Sequence, residues 1–157
     1  MLEFFRSFRA DVTVLLLDSD SNEPVSGAKV TRERLLSIGY PPNFLDANCL
    51  FIGAKEFEDA FATDQIVSVL NMSWPKANGT AWVCDDVNGF RAADKKFSRD
   101  LLAQVRGQCV LDRRAYARKP NIGEMLAVEC GNSGQVPSKI VEAFQLVRQK
   151  LGYDESP

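Results

Sequence analysis

The chain reads as an α/β protein, a small parallel sheet flanked by helices, with a mostly helical C-terminal half. Three observations predict it. Val12-Thr13-Val14-Leu15-Leu16-Leu17 is a short apolar and β-branched run that ends in Asp18-Ser19-Asp20. Such a run reads as a strand buried on both faces, the pattern of a parallel sheet. A second short apolar run, Asn48-Cys49-Leu50-Phe51-Ile52-Gly53, follows one helical segment later. The order strand, helix, strand, helix then predicts a right-handed parallel unit.

Taken in order, Phe4, Phe5 and Phe8 share one helical face, which predicts a short helix over 2–8. Asn22-Glu23-Pro24 is turn chemistry. Val25 to Ile38 predicts an amphipathic helix stopped by Gly39. Tyr40-Pro41-Pro42-Asn43 reads as a loop, and Lys55 to Leu70 as the next helix. Residues 73–89 are less regular, with turns at Trp74-Pro75 and Asn78-Gly79. There Ala81-Trp82-Val83-Cys84 predicts a short strand or a buried extended segment. Phe90 to Val105 is helical. Pro120 suits the first position of a helix to about Glu129, and Pro137 opens a last helix to Leu151, stopped by Gly152. Gly131 to Gln135 reads as the loop between them. No repeat, low-complexity segment or linker interrupts the chain. The expected organisation is an α/β core over 1–110 and a helical extension over 111–157 packed on it, as one compact unit.

The bulk numbers exclude several classes. The chain has 157 residues, enough for one domain with a proper core. Its net charge is −2, so no global basic field attracts nucleic acid, and any such contact needs a local patch. No apolar run reaches membrane-spanning length, and Met1-Leu2-Glu3-Phe4-Phe5-Arg6 lacks a signal-peptide pattern. The expected location is cytoplasmic. Cys49, Cys84, Cys109 and Cys130 form no C-x-x-C pair and read as buried reduced thiols. The absence of histidine removes His-based triads and His zinc ligands. No P-loop, G-x-G-x-x-G or G-x-S-x-G string is present. Chemistry must therefore run on carboxylates, lysine, arginine and metal.

Four constellations fit that requirement. Asp18 and Asp20 alternate along a strand end, so both point the same way if the strand geometry continues. Two like charges about 4 Å apart repel by about 4 kcal/mol at an effective dielectric near 20. A divalent cation, Mg²⁺ or Mn²⁺, offsets that cost, and ligands of open α/β sheets bind at such strand ends. The plainer reading makes Asp20 or Ser21 a turn cap. Glu56 and Glu58 in Gly53-Ala54-Lys55-Glu56-Phe57-Glu58-Asp59 follow the second strand and share its carboxyl edge. They read either as further ligands or as acids complementing a helix start. Arg113, Arg114, Tyr116 and Arg118 form a basic stretch with an aromatic, suited to phosphates and a base, or else a solvated loop. Lys119 precedes a helix start, where it can stabilise charge on a phosphoryl group. The fourth, Asp85-Asp86, reads as a turn with Asn88-Gly89.

In this order, the Asp18-Ser19-Asp20 strand end, the strand Leu50-Phe51-Ile52 and Lys55-Glu56-Phe57-Glu58 resemble the Toprim domain of the OLD family of nucleases. Arg118-Lys119-Pro120 with Asn121 to Ala127 resembles its late lysine and helix. Gln135-Val136-Pro137-Ser138-Lys139-Ile140 resembles the start of its final helix. The likeness spans about Val12 to Leu151 and implies a Toprim-like, Rossmann-like sheet. It implies a DNA endonuclease or nickase that hydrolyses phosphodiesters with two metal ions. Asp18, Asp20 and Glu58 would be ligands, joined by Glu56, and Lys119 would supply charge to the transition state. Glu58 and Lys119 are thus the catalytic candidates, and Arg113, Arg114, Tyr116 and Arg118 the nucleic-acid contacts. The implied partners are DNA, an ATPase upstream or on a separate chain, and a second copy of the chain, with no membrane.

That family usually begins with an earlier strand ending in glutamate. Here the residues before Val12 read as a helix, and Glu3 stands in the wrong context to replace it. A late start, truncation or degeneration would account for this, so a non-catalytic Toprim-like binding module is the second reading. A phosphatase of the HAD class is the third, with Asp18 as nucleophile, Asp20 as general acid, Asp85-Asp86 as the late acid pair and Lys95 as its lysine. Against it, the second strand does not end in Ser or Thr.

Overall fold

The computed structural model describes residues 12–18, 30–91 and 96–153. Among the described residues it is a mixed α/β arrangement, mostly helical, with one two-stranded sheet. Strand β1 (Leu15–Asp18) pairs in parallel with β2 (Cys49–Ile52), in the register Leu15 to Cys49 through Asp18 to Ile52. This pairing places Asp18 beside Ile52, immediately before the loop that carries Glu56 and Glu58. The predicted helix over 2–8, the turn at 22–24, Asp20 and Lys95 lie outside the described residues. So does the first part of the crossover between the strands, residues 19–29. The β1 residues are half-buried, not enclosed on both faces as the apolar run implied.

Helix α1 (Arg32–Ser37) starts later than the predicted Val25, because Thr31 caps it and its hydroxyl oxygen accepts from Arg34 N at 3.3 Å. Gly39 follows with φ 99°, as a stop signal requires. The expected loop at Tyr40 to Asn43 is half helix. Pro42 opens α2 (Pro42–Asn48), where its fixed φ suits the first turn and its missing N–H has no bond to lose.

The single helix expected over Lys55 to Leu70 is two elements. A 3₁₀ turn (Phe57–Ala60) is separated from α3 (Thr63–Ser73) by Phe61 and Ala62 in extended conformation. Asp59 explains the break. Its carboxylate accepts from Ala54 N at 2.7 Å, Lys55 N at 2.8 Å and Glu56 N at 3.3 Å, which folds the segment back on itself. Helix α4 (Cys84–Asn88) takes Asp85 and Asp86 into its first turn, with a 3₁₀ turn at Gly89–Arg91 after it. Trp82 enters α4 as a buried extended segment, its backbone bonded on both sides by the Asn71 side chain at 2.7 and 3.0 Å.

Helix α5 (Phe97–Gln108) begins seven residues after the predicted Phe90, where Asp100 accepts from Lys96 N at 3.0 Å. A 3₁₀ turn (Leu111–Tyr116) leads to α6 (Lys119–Ser133), which has Pro120 in its first turn. Helix α6 outlasts its predicted end at Glu129. It stops where Gly134 adopts the left-handed conformation (φ 68°), so the expected loop at Gly131 to Gln135 is mostly helix. The last helix, α7 (Ser138–Lys150), lies against both strands.

The core is built from helical stripes. Ile66, Val69 and Leu70 of α3 meet Phe97, Leu101, Leu102 and Val105 of α5, with Ile122 and Leu126 of α6. Trp74 and Trp82 close one end, where Trp82 Nε1 donates to Trp74 O at 2.7 Å. Each stripe repeats at one-face helical spacing, and burial of these side chains holds the layers together. All four cysteines are free, but only Cys109 is buried, and Cys84 is exposed.

Candidate active site

The site grows from the turn after β2. Gly53 sits at φ 73°, and a Cβ there would lie 1.9 Å from Glu56 O. Only glycine fits, so the chain turns tightly enough for Asp59 to gather the three amides. Two further clamps fix the segment from the side of the 3₁₀ turn at Gly89–Arg91. Arg91 Nη1 donates to Asp59 O at 2.7 Å, and Nη2 donates to Phe61 O at 2.8 Å. Lys55 Nζ donates to Phe90 O at 3.3 Å. Glu56 and Glu58 are thereby aimed inward, and both are buried. The residues carrying acidic helix-start chemistry are therefore not solvated.

Three carboxylates from separate positions converge on one ammonium. Lys119 Nζ lies 3.0 Å from Glu56 Oε2, 3.5 Å from Glu58 Oε2 and 3.5 Å from Asp18 Oδ2. The strand register supplies Asp18, the Gly53 turn supplies the glutamates, and the first residue of α6 supplies the lysine. Ser98 at the start of α5 adds a fourth anchor, its Oγ donating to Glu58 Oε2 at 2.8 Å.

The electrostatics follow from burial. Desolvation pushes the Glu58 carboxyl above its ordinary value, and the Ser98 hydrogen bond and Lys119 charge only partly offset it. Partial burial by itself would lower Lys119. The hydrogen bond to Glu56 and the charges of Glu58, Glu56 and Asp18 outweigh burial and raise it, so the ammonium stays charged at neutral pH. Three acids around one base leave the cluster with an excess of negative charge and an all-oxygen donor set. That is the donor chemistry of a hard divalent cation such as Mg²⁺ or Mn²⁺. Among the described residues, no group of three or more His, Cys, Asp or Glu side chains is itself spaced to hold a metal ion. The acids are arranged about the ammonium instead.

Beside the cluster opens a cleft of about 440 Å³ that shares Glu56, Ser98 and Lys119 with it. Its remaining charged walls are Lys96, Arg99, Arg106 and Arg118, over a floor that includes Leu102. Arg99, Leu102 and Arg106 are spaced three and four apart, so one face of α5 presents them together. The sequence reading missed Lys96, Arg99 and Arg106. Charged residues on an amphipathic helix ordinarily read as its solvated face, and only their position opposite Arg118 and Lys119 distinguishes them.

The predicted basic stretch divides. Arg118 reaches the cleft. Arg114 turns the other way, its Nε donating to Cys109 O at 3.3 Å and its Nη2 to Gly107 O at 3.4 Å, at the end of α5. Arg113 is exposed, with Asp112 3.9 Å away, and Tyr116 is exposed. Asp86 is engaged locally, accepting from Lys76 Nζ at 2.7 Å and Val83 N at 2.9 Å. Among the described residues no helix is long and apolar enough to cross a membrane. Compared with models of protein families, with curated proteins and with solved structures, the chain matches none.

Proposed function

We propose that this chain is a Toprim-like, Mg²⁺- or Mn²⁺-dependent phosphodiester hydrolase acting on DNA. The observation that carries this reading is the convergence of Asp18, Glu56 and Glu58 on Lys119 Nζ at the mouth of a cationic cleft. Asp18, Glu56 and Glu58 would hold the cation, together with Asp20, which lies outside the described residues. When bound, the cation supplies a Lewis acid and an activated water to phosphate chemistry. The chain's own residues do the rest. Arg118 and the α5 cations hold the phosphate, and Ser98 fixes the Glu58 carboxylate. Lys119, relieved of its acids, turns its charge to the developing oxyanion. An ATPase partner and a second copy of the chain belong to the same reading.

A supercoiled plasmid tests it. Nicking should require Mg²⁺ or Mn²⁺, and should fall at least 100-fold in Asp18→Ala and in Glu58→Ala, as expected for loss of a group acting on the transition state. Nicking that survives both substitutions would overturn the assignment.

The second reading is a non-catalytic binding module. It draws on the same ion cluster, since Lys119 already partly neutralises the acids without any metal. Calorimetry separates the two: Mn²⁺ binding that Asp18→Ala weakens supports the enzyme, and no binding supports the module.

A further inference from the structure

We propose that the cleft between α5 and the start of α6 is a binding site for a ligand carrying two or more phosphates in series. The inference extends the phosphodiester reading by naming what the protein recognises and which residues recognise it. Lys96, Arg99, Arg106 and Arg118 face one cleft of about 440 Å³. The one carboxylate among its described lining residues, Glu56, is already bonded to Lys119 at 3.0 Å. Arg99 is offset by Asp100, 2.9 Å away at the surface. Arg106 spends one nitrogen on Ala117 O at 2.9 Å, which leaves its charge uncompensated and fixes the guanidinium in place. Arg118 has no ion pair among the described residues. Arg106 and Arg118, neither in an ion pair among the described residues, therefore already bring more positive charge to the cleft than one phosphodiester neutralises.

Geometry narrows the ligand further. Arg99 and Arg106 are seven residues apart on one helix face, a rise of about 10 Å. That length spans successive phosphates rather than a single one. Among the described residues no aromatic side chain lines the cleft, so none of them offers a base-stacking platform beside the charges. Recognition by this surface is therefore of phosphates and independent of base identity. Two sources share that chemistry: the backbone of a nucleic-acid strand and a linear polyphosphate group.

Binding without catalysis is the test. A short fluorescein-labelled oligothymidylate is titrated with the full chain in EDTA, and tripolyphosphate is measured as a competitor and by calorimetry. The oligonucleotide should bind with a log–log salt slope of about −1.4 to −2.1, the value for two to three phosphates on a single strand. Arg99→Glu with Arg118→Glu should weaken binding at least tenfold, and Arg99→Gln with Arg118→Gln should do so less steeply. Arg148→Glu on α7 should leave it unchanged. Tighter binding of the oligonucleotide identifies a strand as the ligand, and tighter binding of tripolyphosphate identifies a small polyphosphate. Failure of both probes to bind, or equal loss in Arg148→Glu, overturns the proposal. Because metal is absent, binding that persists in a chain that nicks no plasmid would refute the nuclease reading alone.

Discussion

The Lys119 ammonium stands 3.0 Å from the Glu56 carboxylate, joining the first residue of α6 to the turn that follows β2. These residues lie 63 apart in the chain, and Asp18 and Glu58 complete the circle around the same nitrogen. The pairing ties a buried acid of the turn to a partly exposed helix start at the point where the cationic cleft opens. It also makes the lysine a competitor for any cation those acids attract.

Removing the ammonium exposes that competition. Lys119→Met should cost about 1–2 kcal/mol, less than a fully buried pair because the lysine is partly exposed. The three acids would then repel one another without relief. Mn²⁺ should raise the melting temperature of Lys119→Met more than that of the parent chain. Equal shifts in the two proteins would show that lysine and metal do not compete.

Glu58 should make stability depend on pH. Its folded-state affinity for a proton is raised above the unfolded value by burial. Its contribution is therefore fully present below the unfolded carboxyl range and lost as pH rises through the higher folded value. Glu58→Gln removes the charge and keeps an oxygen for Ser98. The variant should be more stable than the parent at neutral pH, with the gain shrinking toward acid pH. Urea melts across that interval check the sign; a gain that grows on acidification would contradict it.

Gly53 should be intolerant of a methyl group. Gly53→Ala combines a left-handed φ with a Cβ 1.9 Å from Glu56 O and 2.4 Å from Asp59 Oδ1. The expected loss is about 2–4 kcal/mol, from steric displacement added to the backbone preference. Gly79→Ala is the control, with φ +79° and nothing within 4 Å of the new carbon. It should cost only about 1 kcal/mol. Similar melting temperatures for the two variants would mean the turn relaxes freely.

Asp59 should matter for stability as much as any core residue. Its carboxylate accepts from three backbone amides at 2.7–3.3 Å. Asp59→Ala leaves those amides unsatisfied and should cost about 2–3 kcal/mol. Asp59→Asn, which keeps an acceptor, should recover part of this. Chemical denaturation of the pair measures the difference, and an Asn variant no better than Ala would assign the effect to the charge alone.

How much of this was readable beforehand differs element by element. The two strands followed from two short apolar runs and their parallel relation from the strand, helix, strand order, although β1 is half-buried rather than enclosed on both faces. The late helices followed from Pro120, Pro137 and their spacing, since proline fixes the backbone that a first turn needs. The break between Phe57 and Thr63 did not follow, because local periodicity cannot report that Asp59 turns back on three amides and Arg91 reaches across from another turn.

The amino-acid sequence alone determined which residue types were present for chemistry: carboxylates, lysine and arginine, with no histidine. It also determined that Asp18, Glu56, Glu58 and Lys119 were candidates, from their positions at strand ends and a helix start. Only the tertiary structure decided that they meet at one nitrogen, that Arg114 caps a helix instead of facing a ligand, and that Lys96, Arg99 and Arg106 join Arg118 in one cleft. The reason is physical. Residue type and period act over a few positions along the chain, whereas ion clusters and clefts are made by packing segments far apart in sequence.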